Sequence, residues 1–382
     1  MKHLFTKSMA VIFVVVLALT LFACGNSGTE ENYTVRVGIH ANEGGATLFA
    51  VAEAQGFFAD EGLNVVVTVV ESGPAEMAAM RADNRSLDVG YIGAGVSWNA
   101  IDDSGNRLKF IYLDTLSNSE MLIANPARKP GVNQDSTWQE LYVALKGSTI
   151  AIPTDTTPGS WFKNLLAKIN SRGGVNDTEL PDAEKLWIHT ETSPYLAGYT
   201  APNTNPANRI TVVTESNEYL PQAFSSYDFV AGFAPSTTNI LNSGGVQVAT
   251  TSTRLPELSF PSSWVASVEW MKENPTVVQK FVNALARATD WRAKNIQQSL
   301  RLAETLVQVN QNTFSADSMI APTAQQLYNW FATYDGLGYQ YFTGMYNDKV
   351  NNVPQGNRAK TLPEALDVSF MLKALSQVLA EQ

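Results

Sequence analysis

Apolar and polar positions change period along this chain in a regular order. An almost unbroken apolar run spans Met9 to Phe22, and alternation begins only at Tyr33, where YTVRVGIH (33–40) has the period of a strand. A loop with two glycines (41–45) leads into TLFAVAEAQGFF (47–58), whose apolar residues carry helical spacing. The next segment, LNVVVTVV (63–70), is β-branched and nearly continuous, which predicts a buried strand. A helix is expected from Pro74 to Met80 and a strand from Leu87 to Ile92. Gly93, Ala94 and Gly95 then open a helix carrying Ser97, Trp98 and Asn99, and strands follow at Leu108–Leu113 and Met121–Ala124. Strand and helix alternate, which predicts a mainly parallel, doubly wound sheet.

A second set of the same units follows a Pro- and Gly-rich connector, 125–131. It contains a helix at Trp138–Leu145, a strand at Ser148–Ile152, a loop at Pro153–Gly159 and a helix at Ser160–Ile169. The stretch from Asn170 to Asn208 is rich in Gly, Pro, Asn and Thr and reads as irregular or inserted. Arg209–Val213, Leu220–Phe224 and Asp228–Phe233 then read as strand, helix, strand, with Ser263–Ser267 as a return crossing. Beyond Asn274 the spacing is helical: Thr276–Lys294, Gln298–Val309, Ala324–Thr333 and Leu362–Leu379. The stripe Val277, Phe281, Leu285 and Ala288 reads as a face packed on a lobe rather than a partner surface. Two linked α/β lobes leave a cleft at the carboxyl ends of their strands, where such folds bind ligands.

The amino terminus has its own chemistry. Lys2, His3 and Lys7 precede the apolar run, which is short of the roughly 20 residues that a transmembrane helix needs and has the layout of a secretory signal. The chain's single cysteine, Cys24, follows Ala23 at the end of that run. Leu21, Phe22, Ala23 and Cys24 resemble the lipobox of bacterial lipoproteins, in which the cysteine thiol is diacylated, although Phe22 is an unusual residue for its place. GNSGTEEN (25–32) reads as a flexible tether. One cysteine excludes an internal disulfide. The formal charge of −10 argues against nucleic acid as a partner. Three histidines and no CxxC or HExxH make a metal site improbable, and GxSxG, GxxxxGK[ST] and GxGxxG are all missing, so neither a cofactor nor an enzymatic activity is expected.

The order of segments is similar to that of the periplasmic solute-binding proteins of ABC importers, in the nitrate, sulfonate and taurine group that also includes carriers of thiamine-pyrimidine precursors. The residues that carry the resemblance are Gly56 to Phe58, Glu61 to Leu63, Asp88 to Gly90, Leu145 to Pro153, Ala223 to Pro235, and the helix after Asn274 and Pro275 that ends at Trp291. They span nearly all of the mature chain. Asp83 to Leu87 lacks the group's usual glycine, Phe229 follows Asp228 where alanine is usual, and the cysteine-rich stretch of pyrimidine-synthesising relatives is missing. The resemblance implies an α/β, two-lobed periplasmic-binding-protein type II fold with a hinge and an interdomain cleft. The implied divisions are a lipoprotein signal peptide (1–23), a lipid-anchored tether (24–32), the first part of lobe 1 (33–124), lobe 2 (125–250), and a return crossing with C-terminal helices completing lobe 1 (251–382).

Candidate binding residues follow from position. Gly93, Ala94, Gly95 and Ser97 lie between a strand and a helix, where free N–H groups make an anion seat; the plain alternative is a turn capped by Ser97. Thr154, Thr156 and Thr157 occupy the matching loop of the second lobe and either cap a helix or donate to a bound oxyanion. His40 ends the first strand at the same edge, as a structural hydrogen-bonding group or as part of the cleft. Trp98 and Trp161 are expected either to wall the ligand body or to belong to the core. Asp228 stands as a receiver for a ligand ammonium or as a structural strand-start residue. Tyr195 and Arg254 lie near expected crossings.

The resulting expectation is a lipid-anchored extracytoplasmic solute-binding component of an ABC importer for a small organic anion such as a sulfonate or taurine-like compound. It would act as a monomer that meets a membrane permease and has no nucleic-acid partner. A carrier of a pyrimidine or other heterocycle, a ligand-presenting sensor and an enzyme on the same scaffold remain as alternatives.

Overall fold

The computed structural model describes residues 33–81, 84–93, 108–154, 156–189, 205–255, 260–352 and 362–382. Twelve strands among them form two six-stranded sheets. The first contains β1 (Tyr33–Ile39), β2 (Leu63–Val69), β3 (Val89–Ile92), β4 (Leu108–Ser117), β11 (Phe260–Ser267) and β12 (Met319–Ile320), in the order β12-β4-β11-β3-β1-β2. The second contains β5 (Met121–Ala124), β6 (Thr149–Ile152), β7 (Trp187–His189), β8 (Arg209–Thr214), β9 (Phe229–Gly232) and β10 (Val246–Thr250), in the order β10-β5-β9-β6-β8-β7.

The expectation of mainly parallel sheets needs correction. β1 and β3 pair in parallel, as do β9, β6, β8 and β7 in succession. However, β11 runs antiparallel to both β3 and β4, and β5 runs antiparallel to both β9 and β10. The cause is the double crossing: each strand that arrives from the other lobe enters the sheet against the direction of the βαβ units already there. β5 lies in the second sheet, so the first crossing falls between Ser117 and Met121, ahead of the connector at 125–131 that the sequence marks. The chain is back in the first sheet at β11, after the helix Thr251–Arg254.

β2 also differs from its expected role. It ends the first sheet, and Asn64, Val66 and Thr68, which share one face, are exposed, Val66 by 48%. One face of the strand is left uncovered, so its β-branched run does not make it a buried central strand. The stretch Leu362–Leu379 is two helices, Leu362–Ala365 and Ser369–Ala380. A further helix, Leu337–Asn352, occupies a region given no element by the sequence pattern.

Each sheet carries its own core. In the first lobe Phe49, Phe58, Phe281 and Trp264 form a continuous aromatic chain, with Phe58 stacked on Phe281 at 5.4 Å. This chain ties the helix Glu43–Ala54 to the helix Pro275–Lys294, whose stripe Val277, Phe281, Leu285 and Ala288 is buried. In the second lobe Trp138, Trp161, Phe162, Leu165 and Phe229 form the centre. The helix Trp138–Leu145 starts on a capping box between Thr137 and Glu140, which satisfies two otherwise orphaned amides. Among the described residues no helix is long and apolar enough to cross a membrane.

Candidate functional site

A cavity of about 390 Å³ opens where the carboxyl ends of strands from both sheets converge. From the first lobe it takes His40 and Glu43 after β1, Glu71 to Gly73 after β2, Gly93 after β3, and Thr115, Ser117 and Glu120 along and after β4. From the second lobe it takes Pro153, Thr156 and Thr157 after β6, Ser216 to Tyr219 after β8, and Phe233 after β9. Strand ends point exposed backbone and short loops at one place, which is why α/β folds put their sites there.

On the first-lobe wall, Asn42 caps the helix Glu43–Ala54 by accepting the Gly45 amide at 2.7 Å. Glu43 occupies the first turn, and its carboxylate accepts its own amide, the Ser315 amide at 3.4 Å and the Ser318 hydroxyl. The first-lobe helix start is therefore already occupied by a negative side chain. Glu120, in the crossing, accepts the Ser117 hydroxyl at 2.7 Å and the Thr251 hydroxyl at 3.5 Å. Glu43 and Glu120 are 2% and 1% exposed, and burial pushes both carboxyls above the ordinary range. Charge on Glu43 raises Glu120 further.

His40 sits on the same wall, with Nε2 at 2.7 Å from Oε2 of Glu76, a fully buried residue of the helix Gly73–Arg81. Burial pushes Glu76 up and His40 pulls it back. Oε1 of Glu76 has no hydrogen-bond partner in the structure. It lies against Gly90, where an added Cβ would come to 2.5 Å. Tyr91 meets the His40 ring edge-on at 6.1 Å and reaches the Thr115 hydroxyl at 3.4 Å. Burial pushes its phenol well above the ordinary range, so Tyr91 is a neutral hydroxyl in the cavity.

On the second-lobe wall, Thr156 precedes the sixteen-residue helix Thr157–Arg172. Its hydroxyl donates to the Pro153 carbonyl at 2.5 Å instead of capping the helix. The two lobes come close at one point: a Cβ on Gly93 would stand 2.9 Å from the Thr157 hydroxyl. Gly93 thus stands where the Thr157 side chain of the other lobe approaches the first-lobe backbone.

The residues expected from sequence divide clearly. His40, Gly93, Thr156 and Thr157 are brought together around the cavity. Ala94, Gly95, Ser97, Trp98, Tyr195 and Cys24 lie outside the described residues. Thr154 is buried behind the loop, where its hydroxyl meets that of Thr214 at 3.0 Å. Trp161 does not wall a ligand: it is fully buried in the second-lobe core, because its turn of the helix faces the sheet. Asp228 does not reach the cleft either. It begins β9 at the end opposite Phe233, takes the Thr149 amide at 2.9 Å and pairs with Arg128 at 3.7 Å. Arg254 lies under the second lobe, donating to the Gln134 carbonyl at 2.8 Å with its guanidinium over Trp138.

Sequence reasoning missed Glu43, Glu120, Tyr91 and the Ser216–Tyr219 loop. Glu43 and Ser216 each follow a strand closely, a signal that was available. Glu120 depends on where the chain crosses between lobes, which no local pattern marks. The described lining holds four carboxylates, Glu43, Glu71, Glu120 and Glu218, and contains no lysine or arginine. Among the described residues no group of three or more His, Cys, Asp or Glu side chains is arranged to hold a metal ion.

Residues 28–307 match the model of the NMT1-like family. The chain belongs to the NMT1-like family. A Brucella abortus (strain 2308) protein, whose name records a binding role and no ligand, is 23% identical over 303 residues, covering 79% of this chain and 80% of that one. Among solved structures, the periplasmic nitrate-binding protein NrtA from Synechocystis PCC 6803 aligns with a TM-score of 0.61 at 14% identity, over 92% of this chain and 90% of its own. The sulfonate-binding protein SsuA from Methylobacillus flagellatus KT aligns with a TM-score of 0.59 at 14% identity, over 92% and 96%. The desulfurization enzyme DSZB shares the fold as well, with a TM-score of 0.54 at 13% identity over 91% and 100%. This NMT1-like chain therefore has the two-lobed fold of periplasmic binding proteins, as its sequence resemblance implied.

Proposed function

We propose that this NMT1-like protein is the solute-binding component of an ABC importer, held by a lipid on Cys24 at the extracytoplasmic face of a bacterial membrane. The observation that supports this most is the cavity itself, lined from both lobes at the carboxyl ends of their strands. A ligand there touches both walls only when the lobes are together, so its binding energy stabilises the closed form over the open one. The membrane permease would receive that closed, loaded form.

The ligand is a small organic molecule of taurine-like character, with an anionic end toward the second lobe. There the helix Thr157–Arg172 presents its positive end and the Thr156 and Thr157 hydroxyls line the cavity. A wholly anionic solute such as nitrate is disfavoured by the carboxylates opposite. No residue in the cavity is assigned a catalytic role, and the protein binds and releases its solute unchanged.

The test is a thermal-shift screen of the chain from residue 25 onward, with taurine, alkanesulfonates, nitrate, aromatic acids and pyrimidines. A ligand at 100 times its Kd should add about 2.7 kcal/mol of stability. Recovery of the solute chemically altered would replace the binding reading with an enzymatic one. Replacing Cys24 by serine should release the full-length protein from membranes; retention of that variant would refute the lipid anchor.

A further inference from the structure

We infer that the first-lobe wall of the cleft is a seat for an organic cation, a protonated amine or amidinium whose N–H groups dock on the carboxylates of Glu43 and Glu120. The inference rests on the solute-binding reading and names the chemical group that the solute must carry.

Both residues line the cavity and are almost wholly buried. Each has partners, but every one is a neutral donor: its own amide with the Ser117 and Thr251 hydroxyls for Glu120, and its own amide with the Ser315 amide and Ser318 hydroxyl for Glu43. No lysine or arginine pairs with either among the described residues, unlike buried Asp114, which has Arg292. Hydroxyl donors orient a carboxylate without cancelling its charge. Two such groups, one raising the other, create a deficit that a bound cation would neutralise.

The rest of the cavity, on both lobes, agrees. Glu71 and Glu218 stand exposed at the cavity, adding to a field that draws cations in. Tyr91, Tyr219 and Phe233 present aromatic rings, which receive organic cations on their faces. A metal ion is the poorer occupant: divalent calcium, for comparison, takes six to eight oxygen ligands, and two buried carboxylates backed by hydroxyls suit N–H donors better.

Matched probes that differ only in the cationic group test this. Taurine against ethanesulfonate, and β-alanine against propionate, are titrated into the mature protein, the Glu43→Gln variant and the Glu120→Gln variant. In each pair that binds, the cationic member should bind at least tenfold tighter to the wild type, and either substitution should reduce that preference by tenfold or more. Equal affinity within the pairs, or a preference that survives both substitutions, overturns the seat and leaves solute binding intact. If no probe and no member of the wider screen binds, the solute-binding reading fails and the seat with it. The ligand-free variants supply a second readout. A binding-site acid replaced by its amide should leave the melting temperature at pH 8 equal or higher, whereas a loss of several degrees in both variants would assign the pair to structure and overturn the seat.

Discussion

Asp114 and Arg292 meet at 2.5 Å with neither side chain exposed, linking β4 beneath the cavity to the last turn of the helix Pro275–Lys294. Trp264 donates its indole N–H to the other carboxylate oxygen at 2.8 Å, and Arg292 also donates to the Asp114 carbonyl at 2.9 Å. The charge pair is fixed on both sides and holds the helix Pro275–Lys294 to the sheet that carries Thr115 and Ser117.

Removing one partner strands a buried charge. Asp114→Ala or Arg292→Ala should each cost about 3–5 kcal/mol, more than simultaneous replacement by apolar residues of matching volume. Chemical denaturation of the three variants checks the ordering. A double variant that loses the sum of the two single effects would show that the residues act independently.

The close approach at Gly93 predicts an effect on binding that is separable from stability. A methyl group there stands 2.9 Å from the Thr157 hydroxyl across the cleft, so Gly93→Ala should wedge the lobes apart. Calorimetry with any solute that binds should show affinity reduced at least tenfold, with the melting temperature of the ligand-free protein little changed. Undiminished affinity would mean that closure does not bring these residues together.

Glu43, Glu76 and Glu120 give the ligand-free protein an unusual pH response. Their carboxyls are raised in the fold, chiefly by burial, so the folded state holds these protons more tightly than the unfolded chain. The stability that this contributes is complete below the ordinary glutamate value and is lost as pH rises through the raised values. The groups acting on them are His40 on Glu76, Glu304 with the Ser315 amide and Ser318 on Glu43, and Glu43 with Ser117 and Thr251 on Glu120. Melting temperature should fall as pH rises above the ordinary glutamate range, and Glu120→Gln should flatten that decline. A wild-type profile that rises across this window would contradict the assignment.

Trp161 tests the core assignment. Its indole N–H has no partner among the described residues, and its ring is enclosed by the second-lobe core. Trp161→Ala should cost about 3–5 kcal/mol, while Trp161→Phe should leave solute affinity within twofold of wild type. A large affinity loss in the phenylalanine variant, with stability retained, would return Trp161 to the cleft.

The sequence by itself determined the succession of elements and the position of the site along the chain. Alternation in YTVRVGIH, the helical stripe around Phe281 and the turn chemistry of Pro153–Gly159 are local signals with a period, and local periods survive any choice of tertiary partner. The same logic placed His40, Gly93, Thr156 and Thr157 at strand ends, and the fold gathers all four at one cavity. Tertiary structure alone decided strand direction, face and charge environment. β11 and β5 run antiparallel because the chain crosses twice, and β2 ends its sheet with Val66 exposed on one face although its sequence is β-branched. Trp161 and Asp228 lie close in sequence to the second-lobe loops, but the turn of a helix and the polarity of a strand carry them away from the cleft. Glu43 and Glu120, 77 positions apart in sequence, enter the same wall for the reason that the sequence could not show them: their proximity depends on where one lobe hands the chain to the other.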